Sequence, residues 1–234
     1  MVKPKISVIV PAYNEEGYIR DTLRSARDQT FSDLELIVIS NASTDDTANV
    51  ARCFTPSVYE IPEKGSAIAR NYGARKAEGE ILVFLDSDTV MNPNLLSRVL
   101  DTIDQGYVGG KAEVFPRDSN FYNNLFWWAD NLVDRILFYN LGIPNICSYS
   151  PFIFCRKDSF VKVGGFDEER YVGEDINLLS KLKRLGKINF IKDSSVVTSS
   201  RRVRMQGKFY GGFWLPFFHF FFPKSNLFSY SDVR

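Results

Sequence analysis

The chain has 234 residues, 44% of them hydrophobic and 24% charged, and a net charge of +1. This is ordinary globular usage with enough apolar material for a sizeable core, and the near-zero charge excludes a global field for nucleic acid or an acidic polymer. The single histidine, His219, excludes multi-histidine zinc sites, and Cys53, Cys147 and Cys155, with no CxxC pair, fit buried thiols in a reducing compartment better than a disulfide framework.

Ile6 to Val10 is a β-branched run too short for a helix, and Tyr18 to Asp28 places Ile19, Leu23 and Ala26 at a helical period. Further strands are expected at Leu34 to Ile39, Val58 to Ile61 and Ile81 to Leu85, with helices over Asp45 to Phe54 and Gly65 to Ala77. The alternation predicts an α/β fold whose mostly parallel sheet is covered by helices on both faces. Ligands bind such sheets beyond the carboxyl ends of the strands. Pro11 to Glu15, Ser40 to Asp45 and Asp86-Ser87-Asp88 all fall at such ends, so these three loops are expected to form one site.

Beyond Pro93 the pattern is mixed. A helix is expected from Pro93 to Asp104, a strand from Gly106 to Phe115 and a long aromatic-rich helix from Phe121 to Tyr139. A strand at Phe152 to Cys155, a helix from Lys157 to Val163, a Gly164-Gly165-Phe166-Asp167 loop and a helix from Glu174 to Leu185 follow, the last stopped by Gly186. Ile188 to Ile191 and Ser195 to Thr198 read as closing strands. With no repeat or low-complexity linker, the expectation is one catalytic domain over 1–200, its nucleotide-binding half about 1–90 and its acceptor half about 91–200, followed by an extension over 201–234.

Asp86-Ser87-Asp88 directly follows five apolar residues, which puts two carboxylates at the sheet's edge with nothing around to neutralise them. Such charges repel unless a cation sits between them, and carboxylate oxygens suit Mg²⁺ or Mn²⁺, which keep positions open for phosphates. The plainer reading is a turn whose Asp88-Thr89 caps a following helix; likewise Glu174-Asp175 could be only helix-capping carboxylates.

Taken together, Val10-Pro11-Ala12-Tyr13-Asn14-Glu15, Asn41-Ala42-Ser43-Thr44-Asp45, Gly65 with Ala69-Arg70-Asn71 and Gly73, Phe84-Leu85-Asp86-Ser87-Asp88, Gly164-Gly165-Phe166-Asp167, and Gly173-Glu174-Asp175 with Leu178 resemble the family 2 glycosyltransferases of the GT-A fold. The likeness runs from about Ile6 to Thr198. It implies an inverting, metal-dependent transfer of a sugar from a nucleoside-diphosphate donor to a saccharide or polyprenyl-linked acceptor. On the same basis Pro11, Ala12, Tyr13, Glu15 and Asn41 would surround the base and ribose, with Arg70 beside those loops. Asp86 and Ser87 would approach the donor, Asp86 and Asp88 would hold the metal, and Asp175 with Glu174 beside it would be the general base. The chemistry needs such parts: a carboxylate to take the acceptor proton and a positive centre for the departing diphosphate.

The chain departs from the family at Ser40, where many relatives carry an acidic residue, so uridine is the default base and guanosine stays open. The Gln-x-x-Arg-Trp element of processive polymerases is missing, which favours single transfer. Two other functions share the pattern: a nucleotidyltransferase, which generally has a Gly-rich first loop, and a non-catalytic nucleotide-sugar-binding subunit.

Met1 to Lys5 has no apolar leader run, so a cytoplasmic location is expected. Arg201, Arg202, Arg204 and Lys208 precede an aromatic stretch from Phe209 to Pro223 that is too short and too broken by Gly211, Gly212 and Pro216 for a spanning helix. Such a tail suits peripheral contact with a membrane; the other readings are packing on the catalytic domain or an oligomer contact, with the arginines on the donor diphosphate. Phe121, Tyr122, Phe126, Trp127, Trp128, Phe138 and Tyr139 could form an acceptor wall, though helical core is the commoner use.

Overall fold

The computed structural model describes residues 4–118, 121–133, 135–136, 150–170, 173–199 and 201. Cys147, His219, Phe138, Tyr139 and the extension after Arg201 lie outside them, as do the side chains of Phe121, Tyr122 and Phe126.

Among the described residues, eight strands make one sheet; numbered along the chain, they lie in the order 3-2-1-4-7-6-8-5. The first half is the expected alternation: β1 (Ile6–Ala12), α1 (Ile19–Arg27), β2 (Leu34–Asn41), α2 (Thr47–Arg52), β3 (Val58–Ile61), α3 (Ser66–Lys76) and β4 (Ile81–Leu85). Strands β1 to β4 run parallel, with Val8 registered between Leu36 and Val83. The second half comprises β5 (Thr89–Met91), α4 (Leu95–Asp104), β6 (Gly109–Pro116), α5 (Phe121–Val133), β7 (Phe152–Arg156), α6 (Lys157–Lys162), α7 (Glu174–Lys183) and β8 (Ile188–Thr198).

Two details differ from the sequence reading. Thr89 opens strand β5, antiparallel to β8, rather than a helix capped by Asp88. A three-residue strand has too little periodicity to be visible in sequence. The two closing strands are one strand, β8, whose register against β6 shifts between Ala112 and Glu113. A bulge of this kind lets a strand bend without ending, so the exposed Lys192-Asp193 pair reads locally as a break. Strand β7 enters antiparallel between β4 and β6, which makes the sheet mixed.

Alternating strand residues feed two cores. Ile6, Val8 and Val10 pack with Leu23 of α1, Leu96 and Val99 of α4 and Trp127 of α5. Ile9, Ile37 and Leu82 point the other way, against Ala69 and Ala74 of α3, Phe160 of α6 and Leu178 and Leu182 of α7. Each fully buried aliphatic side chain contributes roughly 1.5–3 kcal/mol. On the second face α3 lies unusually close to the sheet, because a Cβ on Gly73 would stand only 2.4 Å from Ile9 Cγ2. That close approach brings Arg70, one turn earlier, over the end of β4.

Candidate active site

The three expected loops do meet. Asn14 and Ala42 both take left-handed backbone conformations, with φ of 53° and 57°, which turn the chain sharply after β1 and β2. The loops are then laced together. Thr44 N–H donates to Asn14 Oδ1 (2.8 Å), Asn14 N–H to Ser43 Oγ (3.1 Å) and Glu15 N–H to Thr47 Oγ1 (2.8 Å). Glu16 N–H reaches Asp45 Oδ2 (3.1 Å), and Asp46 N–H returns to Glu16 Oε2 (3.0 Å).

The Asp86-Ser87-Asp88 turn is held from three sides. Asp86 N–H donates to Pro151 O (2.9 Å), Thr22 Oγ1 of α1 to Ser87 O (2.8 Å) and Ser199 N–H to Asp88 O (3.3 Å). All three residues of the turn are buried. The sequence suggested carboxylates with nothing around to neutralise them; the fold corrects this with two arginines, one from α3 and one from beyond β8. Arg70 Nη2 donates to Asp86 Oδ1 at 2.7 Å, and Arg201 Nη2 lies 3.2 Å from Asp88 Oδ2. Arg201 also pairs with Glu15, so Asp88 faces the loop after β1.

Arg70 has a second partner, Glu174 Oε1 at 2.9 Å, which also accepts from Ser66 Oγ at 2.6 Å. One guanidinium therefore ties the end of β4 to the start of α7. Burial disfavours that cation, yet the carboxylates of Asp86, Glu174 and Asp175 outweigh it and push Arg70 above its ordinary value. Its guanidinium lies 5.3 Å from the centre of the Phe166 ring, which meets Phe84 edge-on at 4.9 Å. Phe166 is set by Asn71, whose amide both donates to Phe166 O and accepts from Phe166 N–H at 3.0 Å. Gly165 makes this clamp fit: its φ is 68°, and a Cβ there would stand 2.7 Å from Asn71 Oδ1.

Asp175 is buried beside this network. Ser150 N–H donates to Oδ2 (3.0 Å) and Ile176 N–H to Oδ1 (2.8 Å). Desolvation, and then the Glu174 charge, raise its carboxyl to about 6, while Arg70, the Ile176 bond and Lys111 pull the other way. Asn41 is fully buried at the end of β2, and among the described residues neither atom of its amide has a hydrogen-bond partner. Pro11 and Ala12 are the buried end of β1, while Tyr13 lies outward with its ring 4.7 Å from Lys64 Nζ.

A metal would find two hard carboxylate donors at Asp86 and Asp88. Among the described residues no group of three or more His, Cys, Asp or Glu could hold an ion. Asp86 and Asp88, engaged here by Arg70 and Arg201, are the carboxylates that could hold an ion completing its shell with water and phosphate oxygens, as Mg²⁺ does.

Two participants, Ser66 and Lys111, escaped sequence reading. Ser66 looked like an ordinary first-turn residue. Lys111 is the one basic residue of β6, a strand that also carries Glu113, and the fold buries it at 2% exposure within electrostatic reach of Asp175. Arg201 was read within a basic cluster, with the donor diphosphate as one candidate partner; the fold pairs it with Glu15 and Asp88.

The model of "Glycosyl transferase family 2" matches residues 7–164, more than half the chain. The chain belongs to glycosyl transferase family 2. A Haemophilus influenzae relative described as an uncharacterized glycosyltransferase is 28% identical over 191 residues, covering 76% of this chain. The chain spans about three fifths of that relative, 61%. S. aureus TarS 1-349, solved in complex with UDP-GlcNAc, has a TM-score of 0.69 at 24% identity, covering 83% of this chain and 58% of that one. Mannosyltransferase PcManGT from Pyrobaculum calidifontis, in complex with GDP-Man and Mn²⁺, also has a TM-score of 0.69, at 22% identity, covering 88% and 62%. These likenesses show a GT-A type α/β fold for this family 2 member. Among its described residues no helix is long and apolar enough to cross a membrane.

Proposed function

We propose that this family 2 member moves a sugar from a nucleoside-diphosphate donor to a saccharide or lipid-linked acceptor, inverting the anomeric carbon with the help of a divalent metal. One observation carries the reading: Arg70 joins Asp86 to Glu174, so the carboxylates suited to the donor and the carboxyl suited to the acceptor share one rim.

The buried Asn41 amide offers neutral hydrogen bonds to a base, and Pro11, Ala12, Tyr13, Glu15 and Ser87 complete the donor side. Asp86 and Asp88 would hold Mn²⁺ or Mg²⁺, which when bound supplies positive charge against the departing diphosphate. Asp175 is the general base. A carboxyl raised to about 6 is ionised at neutral pH yet basic enough to take the acceptor's proton as the hydroxyl attacks. Burial keeps that carboxyl raised, and the charge of Glu174, fixed by Ser66 and Arg70, adds to it. The relatives' UDP-GlcNAc and GDP-Man support a nucleotide-sugar donor; uridine is the default and guanosine the alternative.

We further assign catalysis to 1–200 together with Arg201, since β8, the last described strand of the chain, ends at Thr198, and a separate role to the extension beyond it. Leu125 and Trp128 on α5 are 50% and 62% exposed, and with the basic and aromatic extension they favour peripheral contact with the cytoplasmic face of a membrane. Calorimetry with UDP- and GDP-sugars, with and without Mn²⁺, tests the reading. Metal-dependent binding of at least one donor is expected, and no heat from any of them would sink it.

A further inference from the structure

We propose that Arg201 is the resting counter-ion of the Glu15 and Asp88 carboxylates, and that a divalent cation takes its place at Asp88 only by displacing the guanidinium. The inference rests on the reading of Asp86-Ser87-Asp88 as a metal seat.

Glu15 and Asp88 reach the site from the loops after two different strands, and each side chain is only 3% exposed. Two carboxylates buried together are costly unless a cation stands between them. Arg201 is that cation: Nη2 pairs with Glu15 and lies 3.2 Å from Asp88 Oδ2. A divalent ion taking Asp88 Oδ2 would stand beside the guanidinium with like charge, so the two compete for that oxygen.

The two arginines of the site differ in a way that suits exchange. Arg70 is 7% exposed and is held by Asp86 and Glu174 together, under the Phe166 ring. Arg201 is 29% exposed, with its guanidinium carbon over the Tyr18 ring, 4.6 Å from the centre. Arg70 is thus a fixed part of the site, while Arg201 has a route to solvent. The exchange keeps Asp88 neutralised both before and after the metal enters.

The test titrates Mn²⁺ alone into the 234-residue chain, following free Mn²⁺ by its paramagnetic resonance signal. Arg201→Gln should bind Mn²⁺ at least about tenfold more tightly than wild type, because a like charge has gone. Tyr18→Leu changes no charge but loosens the guanidinium, and should tighten Mn²⁺ by roughly two- to fivefold, the worth of an exposed cation–π contact. In arginine-labelled protein, the Arg201 Nε–H signal should move as Mg²⁺ is added and stay put in Asp88→Asn. Equal or weaker Mn²⁺ binding in Arg201→Gln, or none in either protein, overturns the proposal. So does a tighter Arg201→Gln with Tyr18→Leu at the wild-type value, since Arg201 would then act as a fixed charge that never leaves. Binding of UDP and GDP, measured in parallel, separates the two ideas. Nucleotide binding with unaltered Mn²⁺ affinity in Arg201→Gln sinks only this proposal, whereas absence of nucleotide binding sinks the parent reading.

Discussion

Replacing Arg70 by methionine is the most informative single perturbation of this protein. The guanidinium makes ion pairs of 2.7 Å to Asp86 and 2.9 Å to Glu174, whose side chains are 9% and 13% exposed. Asp175, also buried, feels the same charge. Methionine keeps much of the volume against Phe166 but leaves these carboxylates without their cation. Breaking a buried pair by removing one partner costs roughly 3–5 kcal/mol, a large share of a total stability of about 5–15 kcal/mol. At about 2–4 °C per kcal/mol for a chain of this size, the melting point should fall by roughly 6–20 °C. The assay is thermal and urea unfolding followed by circular dichroism, with chelator present so that no metal substitutes for the lost charge. Adding Asp86→Asn and Glu174→Gln to Arg70→Met should recover much of the loss, because neutral amides need no counter-ion. A loss below about 1 kcal/mol would refute the argument that Arg70 is the obligatory counter-ion of this rim.

The remaining predictions concern the base, its titration and the packing of α3. Asp175→Asn should lower turnover by about 10²–10⁴-fold and leave the donor Kd nearly unaltered; equal loss of both would remove Asp175 from the base role. Asp175 must be ionised to act, so the rate should rise with pH through an apparent pKa near 6, and Glu174→Gln should move that limb to lower pH by removing the negative neighbour. A limb that stays in place or moves upward would contradict this assignment. The stability effect has the opposite sign. The folded carboxyl is raised above its ordinary 3.8, so its contribution is complete below about 4 and is lost as pH climbs towards 6, costing roughly 3 kcal/mol by linkage. Gly73→Ala would push a methyl into Ile9 and should destabilise the chain by about 1–3 kcal/mol in urea titrations; a neutral result would mean α3 can lift off the sheet freely.

What could be read without coordinates follows from local rules. The apolar runs at Ile6, Leu34 and Ile81 alternate with helical periods, and each run ends in polar residues, so the parallel half of the sheet and its loop-bearing edge were legible. The motifs that contain Asp86, Asp88 and Asp175 could be picked out because their spacing is local. Tertiary structure alone decided the partners. No sequence pattern pairs Arg70 with both Asp86 and Glu174, or Arg201 with Glu15 and Asp88 across more than a hundred residues. The antiparallel insertion of β7 beside β4, and the continuity of β8 through its bulge, were equally invisible, because strand neighbours are chosen by packing of whole faces and not by the residues within one strand. Charge neutralisation at a buried rim is a long-range property: the chain lists the charges, and only the folded arrangement says which of them meet.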